Sequence, residues 1–371
     1  MAIINLPGIS TGEVVRVNAD YFIRMIEKGI PCWDIRPVIM FGPTGVGKSA
    51  AVVQISNQME QELGKKVKVV DIRLTSCTIT DLIGIPTPNI DRTETIWLRP
   101  EIYKFDKETE DDTFFLYFFD ELDKASPAVQ AAALQLILDR TAWVHKFPKN
   151  TLIIAAANPA RGTKKYETRM TPELLNRFRQ YNVQPDYESF KQWGTENELH
   201  KFVMGYLAFD HSKLYAQNEQ EDTAFPTPRS WKSVSDLLKA YDGEFVNVSD
   251  LHYEICSDIG VGEAFEFEGW CDHYKNLPVI EDIFDGTVNK LPETADAMYA
   301  LISAMIAYVK ENSDTIYGTE IRNAYKYLSR FPEDYVAMFF VGIKDIDGML
   351  HRAMKVKEFV EWSKKHPNSL D

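Results

Sequence analysis

The sequence predicts an α/β fold in which a parallel sheet carries helices on both faces, followed by a helical lid and a helical C-terminal region. An apolar run at Val38–Phe41, followed by a glycine-rich loop and a helical pattern, carries the first part of this prediction. The uninterrupted apolar run Phe114–Phe119 adds to it, because a strand in a parallel sheet is buried on both faces. We expect three domains: an α/β core at 1–185, a helical lid at 186–277 and a helical region at 278–371.

Composition indicates a globular protein. Hydrophobic residues make up 45% of the 371 residues and charged residues 26%, which argues against a disordered or collagen-like chain. The longest apolar stretch, Ala297–Val309, is shorter than the roughly 20 residues that a membrane-spanning helix needs. The N-terminus shows no signal-peptide pattern, and the cysteines and histidines show no metal-ligand spacing. We therefore expect a cytoplasmic protein without a membrane segment or a structural metal.

Charge is distributed unevenly along the chain. Residues 1–180 contain 23 basic and 22 acidic side chains, whereas residues 181–371 contain 18 and 33. An acidic C-terminal half repels phosphate backbones, so nucleic-acid binding through that half is not favoured. The N-terminal half stays open to a nucleic-acid contact.

The strongest motif is the glycine-rich loop between Gly42 and Ser49, which fits G-x-x-x-x-G-K-[ST]. A helical pattern follows it and ends at Gly64. In such a loop, backbone amides and a helix N-terminus surround a phosphate, while Lys48 reaches the β- and γ-phosphates and the Ser49 hydroxyl ligates Mg²⁺. The alternative is a glycine turn that binds nothing. The predicted nucleotide-binding residues are Gly42, Pro43, Thr44, Gly45, Val46, Gly47, Lys48, Ser49 and Ala50.

Two carboxylates, Asp120 and Glu121, follow the apolar run Phe114–Phe119. They would lie at the carboxyl end of a core strand, where open α/β sheets bind ligands. We predict that Asp120 is a Mg²⁺ ligand and that Glu121 polarises the attacking water. Taken alone, the same pattern also fits a strand that ends in a solvated turn.

Together these motifs resemble those of the AAA+ ATPases, and in detail those of the MoxR-like and dynein-related branch. The similarity extends from about Arg36 to Arg229. The resemblance implies a P-loop AAA+ fold, ATP rather than GTP as the nucleotide, and a ring-shaped homo-hexamer. The matching segments are Arg73–Pro86, Asp120–Ala125, Ala155–Pro159, Leu175–Phe178 and Thr227–Arg229.

The resemblance also assigns roles to three further polar residues. Asn158, after the apolar run Leu152–Ala157, becomes sensor 1, which holds the attacking water or the γ-phosphate; the alternative is an Asn-Pro turn. Arg177 becomes the finger that enters the neighbouring subunit's site, and Arg229 becomes sensor 2 in the lid. Each arginine has an ordinary alternative, a surface salt bridge for Arg177 and a solvated side chain for Arg229.

The local sequence predicts where the finger residue lies. We expect Arg177 early in a helix that Thr171 caps, with Pro172 at its first position. Arg169 and Arg179 are nearby competitors for the finger role.

Further elements are predicted from alternation and helical spacing. Residues 83–105 and 141–153 each contain a predicted hairpin, and the resemblance places both at the pore or the substrate. Trp97 and Trp143 lie in these hairpins, and Trp97 either contacts a partner or is buried. We also predict a short strand near Gln180–Val183. Predicted helices are Tyr187–Phe209, Trp231–Tyr241, Ala295–Lys310, Tyr317–Leu328 and Asp345–Trp362.

The leading functional hypothesis is an ATP-driven remodeller of a protein partner. The resemblance implies a partner that carries a von Willebrand factor A domain. Two alternatives remain open at this point: a nucleotide-gated assembly scaffold with little turnover, and a motor that nucleic acid stimulates.

Overall fold

The computed structural model describes residues 6–103, 112–142, 144–158, 175–217, 224–241, 247–275, 278–288, 290–292, 294–344, 346 and 348–365. The chain divides into two compact units, Met1–Trp193 and Gly194–Asp371. No helix among the described residues is long and apolar enough to cross a membrane. The three-domain boundaries predicted from the sequence remain a proposal.

Among its described residues, the first unit contains one parallel sheet and two small hairpins. The sheet has six strands in the order β1-β10-β2-β9-β6-β3, and each neighbouring pair is parallel. The strands are β1 (Gly8–Ser10), β2 (Val38–Phe41), β3 (Lys66–Arg73), β4 (Ile85–Pro88), β5 (Thr95–Leu98), β6 (Thr113–Asp120), β7 (Thr141–Ala142), β8 (His145–Lys146), β9 (Thr151–Ala157) and β10 (Arg179–Gln184).

The central strands are buried on both faces. In β6, Phe114, Leu116 and Phe118 enter one hydrophobic core, and Phe115, Tyr117 and Phe119 enter the other. The alternation divides β9 between the same two cores. This arrangement confirms the parallel α/β fold that the apolar runs predict, and β10 confirms the predicted strand near Gln180–Val183.

Four helices of the first unit contribute to the two cores that cover the sheet: α1 (Thr11–Glu27), α2 (Lys48–Leu63), α3 (Ile79–Ile83) and α4 (Pro127–Asp139). A further helix, α5 (Tyr187–Glu196), begins in the first unit and ends in the second. The predicted helix after the glycine loop is α2, and Gly64 ends it in a left-handed conformation with φ of 63°. Neither β1 nor α1 was predicted from the sequence, although Ser10 caps α1 by accepting the Glu13 N–H.

Two antiparallel hairpins project from the first unit, β4–β5 and β7–β8. Both confirm predicted hairpins, while Trp143 and residues 104–105 lie outside the described residues. Trp97 is half-buried. On the other face of the same hairpin, Ile85, Ile96 and Leu98 are 57%, 46% and 54% exposed.

The second unit is helical. Its helices are α6 (Lys201–Phe209), α7 (Pro228–Ala240), α8 (His252–Ile259), α9 (Val261–Lys275), α10 (Ile280–Asp285), α11 (Ala295–Glu311), α12 (Gly318–Leu328), α13 (Glu333–Ile343), α14 (Met349–Ala353) and α15 (Lys357–Lys365). This confirms the predicted helical C-terminal region.

Two predicted helices are too long. The span Tyr187–Phe209 breaks into α5 and α6, because Glu198 takes a left-handed φ of 52° and the Leu199 N–H turns back to the Gly194 carbonyl. The span Asp345–Trp362 breaks into α14 and α15, with Asp345 itself outside the described residues.

Candidate nucleotide-binding site

The glycine loop leaves β2 at the carboxyl edge of the sheet, and its glycines serve different purposes. A Cβ on Gly42 would lie only 2.6 Å from the Val183 carbonyl oxygen of β10, so only glycine fits there. Gly45 and Gly47 have φ of 80° and 103°, a region that side chains disfavour. The loop therefore needs glycine once for space and twice for backbone conformation.

The loop delivers the chain into the N-terminus of α2. No side chain caps this helix, and its first amide groups have no intrahelical acceptor. The Thr11 hydroxyl donates to the Val46 carbonyl at 3.0 Å and so attaches α1 to the loop. Together, these amides and the positive end of the helix dipole favour an anion at this position.

Lys48 joins the loop to the neighbouring strand. Its Nζ donates to the carbonyls of Gly42 at 2.7 Å and Pro43 at 3.0 Å, and to Asn158 Oδ1 at 3.1 Å. Asn158 follows β9 directly, and β9 pairs with β2. Sheet order thus brings together two predicted site residues that are far apart in sequence.

Ser49 and Asp120 form the pair that the sequence assigns to Mg²⁺. The Ser49 hydroxyl donates to Asp120 Oδ2 at 3.3 Å, while Asp120 Oδ1 accepts the Glu121 N–H at 2.8 Å. A hydroxyl and a carboxylate at the foot of a phosphate loop are hard oxygen ligands of the kind that Mg²⁺ prefers. The residues present therefore fit this cation.

Glu121 turns its side chain away from this pair. Its φ of 55° is left-handed, a conformation that costs a non-glycine residue roughly 1–3 kcal/mol and is concentrated at functional sites. Lys124 Nζ lies 2.7 Å from Oε1, and the Thr75 hydroxyl donates to Oε2 at 2.8 Å. The hydrogen bond from Lys124, helped by Thr75 and opposed by partial burial, lowers the pKa of the Glu121 carboxyl below its usual value. Glu121 is therefore ionised at neutral pH, as a water-polarising base requires.

Comparison with known proteins identifies this part of the chain. Residues 37–178 match the family described as AAA domain, dynein-related subfamily. The first unit contains an AAA domain of this subfamily. No curated protein matches the chain.

Several solved structures resemble the chain weakly. ORC2 of Aeropyrum pernix is 12% identical over 90% of this chain and 85% of its own, with a TM-score of 0.42. NtrX of Brucella abortus is 14% identical over 95% and 69%, with a TM-score of 0.37. PCH-2 of C. elegans is 15% identical over 70% and 67%, with a TM-score of 0.30. At these scores the likenesses carry no argument about function.

Arg177 lies far from the glycine loop within the AAA domain. It is exposed and precedes β10, whose first residue pairs with Val38 at the amino end of β2, whereas the loop leaves the carboxyl end. The predicted position early in a helix is wrong: Arg177 lies in a turn that the Phe178 N–H closes on the Leu175 carbonyl, because β10 begins immediately afterwards. The predicted cap Thr171, the predicted first helical residue Pro172 and the competitor Arg169 lie outside the described residues.

Arg229 and Arg179 both lie in regular secondary structure. Arg229 is exposed near the start of α7, behind Pro228, and Thr227 caps that helix through the Ser230 N–H. Its sensor-2 role stays a prediction. Arg179 stacks over the Tyr21 ring at 3.9 Å, which gives it a packing role within the AAA domain.

Three polar residues at the site were not assigned roles from the sequence: Thr75, Asp123 and Lys124. Thr75 follows β3, the strand that pairs with β6, and so reaches Glu121. Asp123 and Lys124 lie in the segment Asp120–Ala125, and the spacing of residues there does not show what their side chains contact.

Proposed function

We propose that this protein hydrolyses ATP with Mg²⁺ at sites shared between subunits of a ring-shaped homo-hexamer, and that it uses the reaction to remodel a protein partner. One observation carries the proposal. The hydroxyl and carboxylate of Ser49 and Asp120, the Lys48 ammonium and the Asn158 amide meet at one edge of the sheet, with Glu121 adjacent in sequence. The same edge presents the uncapped N-terminus of α2.

The residues divide the work of binding. The loop amides and Lys48 would surround the phosphates of ATP, and Ser49 with Asp120 would hold Mg²⁺. When bound, Mg²⁺ offsets the negative charge on the phosphates and orients them. Lys48 already occupies hydrogen bonds to two loop carbonyls, so a phosphate exchanges those neutral acceptors for a charged one.

Glu121 and Asn158 would act on the attacking water. Glu121 is ionised, so it can accept a hydrogen bond from that water and draw its proton. Asn158, already bonded to Lys48, is a neutral donor and acceptor beside the γ-phosphate position.

The position of Arg177 supports the ring that we propose. An exposed arginine at the opposite end of the sheet from its own loop can stabilise phosphoryl charge only in a neighbour's site. Head-to-tail contacts of this kind form a ring when the rotation from one subunit to the next closes. The match to the AAA domain family supports this arrangement. The proposal has three further parts: Arg229 acts as sensor 2, the partner carries a von Willebrand factor A domain, and the protein is cytoplasmic.

Lys48→Ala tests the phosphate site. We expect nucleotide affinity to fall roughly tenfold to hundredfold, because charge-assisted hydrogen bonds contribute about 1.5–3 kcal/mol each. Fluorescent ATP binding and phosphate release measure the effect, with the exposed Lys28→Ala as a matched control. Unchanged affinity in a folded Lys48→Ala variant would overturn the assignment of the loop.

A further inference from the structure

Asp123 is a buried carboxylate for which the proposed ATPase chemistry has no use. It is only 6% exposed and lies three residues beyond Asp120. Burial raises the pKa of the Asp123 carboxyl. Burying a carboxylate is costly unless hydrogen bonds compensate for the lost water, so the contacts of Asp123 show what the residue does.

Those contacts lead to β9. Asp123 Oδ1 accepts the main-chain N–H of Asn158 at 3.1 Å. One residue earlier, the Leu122 N–H donates to the Ala156 carbonyl at 3.0 Å. The turn after β6 is therefore joined to the end of β9 at two successive points, one through main chain and one through the Asp123 side chain.

The hydrogen bond to the Asp123 side chain holds Asn158 itself, which is not part of a strand. Asn158 lies just beyond β9, where the sheet ladder no longer holds its N–H. The Asp123 carboxylate replaces the missing ladder partner. From this anchored backbone, the Asn158 side chain reaches Lys48 Nζ at 3.1 Å.

We propose that Asp123 is a positioning residue for Asn158: its carboxylate holds the Asn158 main chain so that the side-chain amide faces Lys48 and the γ-phosphate of bound ATP. The inference rests on the proposed function. Asp123 is expected to act through Asn158, because the hydrogen bond that its carboxylate accepts from the Asn158 N–H is the contact that carries the inference.

The test compares ATP binding and turnover in four proteins: wild type, Asp123→Ala, Asn158→Ala and the double variant. We expect Asp123→Ala to lower kcat roughly tenfold to hundredfold, because small misplacements of a reacting-site group cost up to that much, while the nucleotide Kd changes less than threefold. In the Asn158→Ala background, Asp123→Ala should lower kcat no further, because the group that it positions is already gone.

Two more variants separate positioning from general damage. Asp123→Asn keeps an acceptor oxygen at the same distance and should restore kcat to within threefold of wild type. Asp123→Glu moves the carboxylate by one methylene and should not. If Asp123→Ala does not fold, the comparison of Asp123→Asn with Asp123→Glu replaces it as the test. Gln130→Met is the matched control, since Gln130 Nε2 supports the same turn through the Leu122 carbonyl at 2.9 Å without touching Asn158.

The outcomes distinguish the two claims. A wild type that binds but does not hydrolyse ATP overturns the proposed function before any variant is compared. If the wild type hydrolyses ATP, two results would overturn the inference and leave the proposed function standing. One is that the effects of Asp123→Ala and Asn158→Ala on kcat multiply in the double variant. The other is that Gln130→Met lowers kcat as much as Asp123→Ala does. Faster hydrogen exchange of the Asn158 amide in Asp123→Ala is expected independently of turnover, and unchanged exchange would also overturn the inference.

Discussion

Asp120 and Glu121 are adjacent carboxylates that the backbone directs to different partners. Asp120 faces the Ser49 hydroxyl, whereas Glu121 faces Thr75 and Lys124. The left-handed φ of Glu121 makes this separation possible. Two identical functional groups thereby take on different chemistry, one suited to a cation and the other to a water.

Lys124→Met tests what the ion pair does to Glu121. Because the hydrogen bond from Lys124 is the largest influence lowering the pKa of Glu121, removing it should raise that pKa. The base is active when ionised, so the acidic limb of the kcat profile should move to higher pH. The pair is partly exposed, so the free energy of unfolding should change by less than about 1 kcal/mol. Lys191→Met, which removes an exposed pair with Glu188, should leave the profile unchanged; an unmoved limb in Lys124→Met would contradict this account.

At the scale of elements, the strands on both sides of β2, β9 and β10, hold the first residue of the glycine loop in place. Gly42 donates its N–H to the Ala157 carbonyl of β9 and packs against Val183 of β10. Sequence predicted the strand, loop and helix of this unit, because each has a strong local signal. It did not predict β1, whose three residues are placed by main-chain pairing with β10 rather than by an apolar pattern.

Gly42→Ala and Gly64→Ala separate space from backbone conformation. Gly64 has φ of 63° with open space around its Cβ position, so alanine there should cost roughly 1–2 kcal/mol and leave nucleotide binding intact. At Gly42 the new Cβ would lie 2.6 Å from a main-chain oxygen, so the loop must shift and binding should fall at least tenfold. Chemical denaturation and nucleotide titration measure both. Wild-type affinity in Gly42→Ala would refute the packing argument.

The site itself was predictable to different degrees. Lys48, Ser49 and Asp120 follow from motif spacing, and the sheet brings them together as expected. Asn158 needed the family resemblance, since a neutral side chain after a strand has many uses. The contacts of Glu121 could not be read from the sequence, because they depend on a left-handed residue and on a side chain from a neighbouring strand.

At the scale of the whole molecule, the proposed hydrolysis takes place between subunits. Arg177 lies at the amino end of the strands and the glycine loop at the carboxyl end. No single AAA domain of this protein can therefore bring both to one phosphate. Hydrolysis should depend on assembly.

Mixing variants tests the shared site. Arg177→Ala lacks the finger and Glu121→Gln lacks the base, so a mixed ring contains some sites with both, and phosphate release should rise above that of either variant alone. Glu121→Gln mixed with Lys48→Ala is the control, because both changes damage the subunit's own site and neither subunit completes the other. Absence of rescue in a verified mixed oligomer would contradict the finger assignment.

The most direct measurement is ATP turnover by wild type and Glu121→Gln at saturating ATP and Mg²⁺, with nucleotide affinity measured in parallel. Removing a general base typically costs about 10²–10⁴-fold in rate, so Glu121→Gln should bind ATP as tightly as wild type and release phosphate at least a hundredfold more slowly. Equal turnover in the two proteins would contradict the account, because the site built around Lys48, Asp120 and Glu121 would then not be where ATP is hydrolysed.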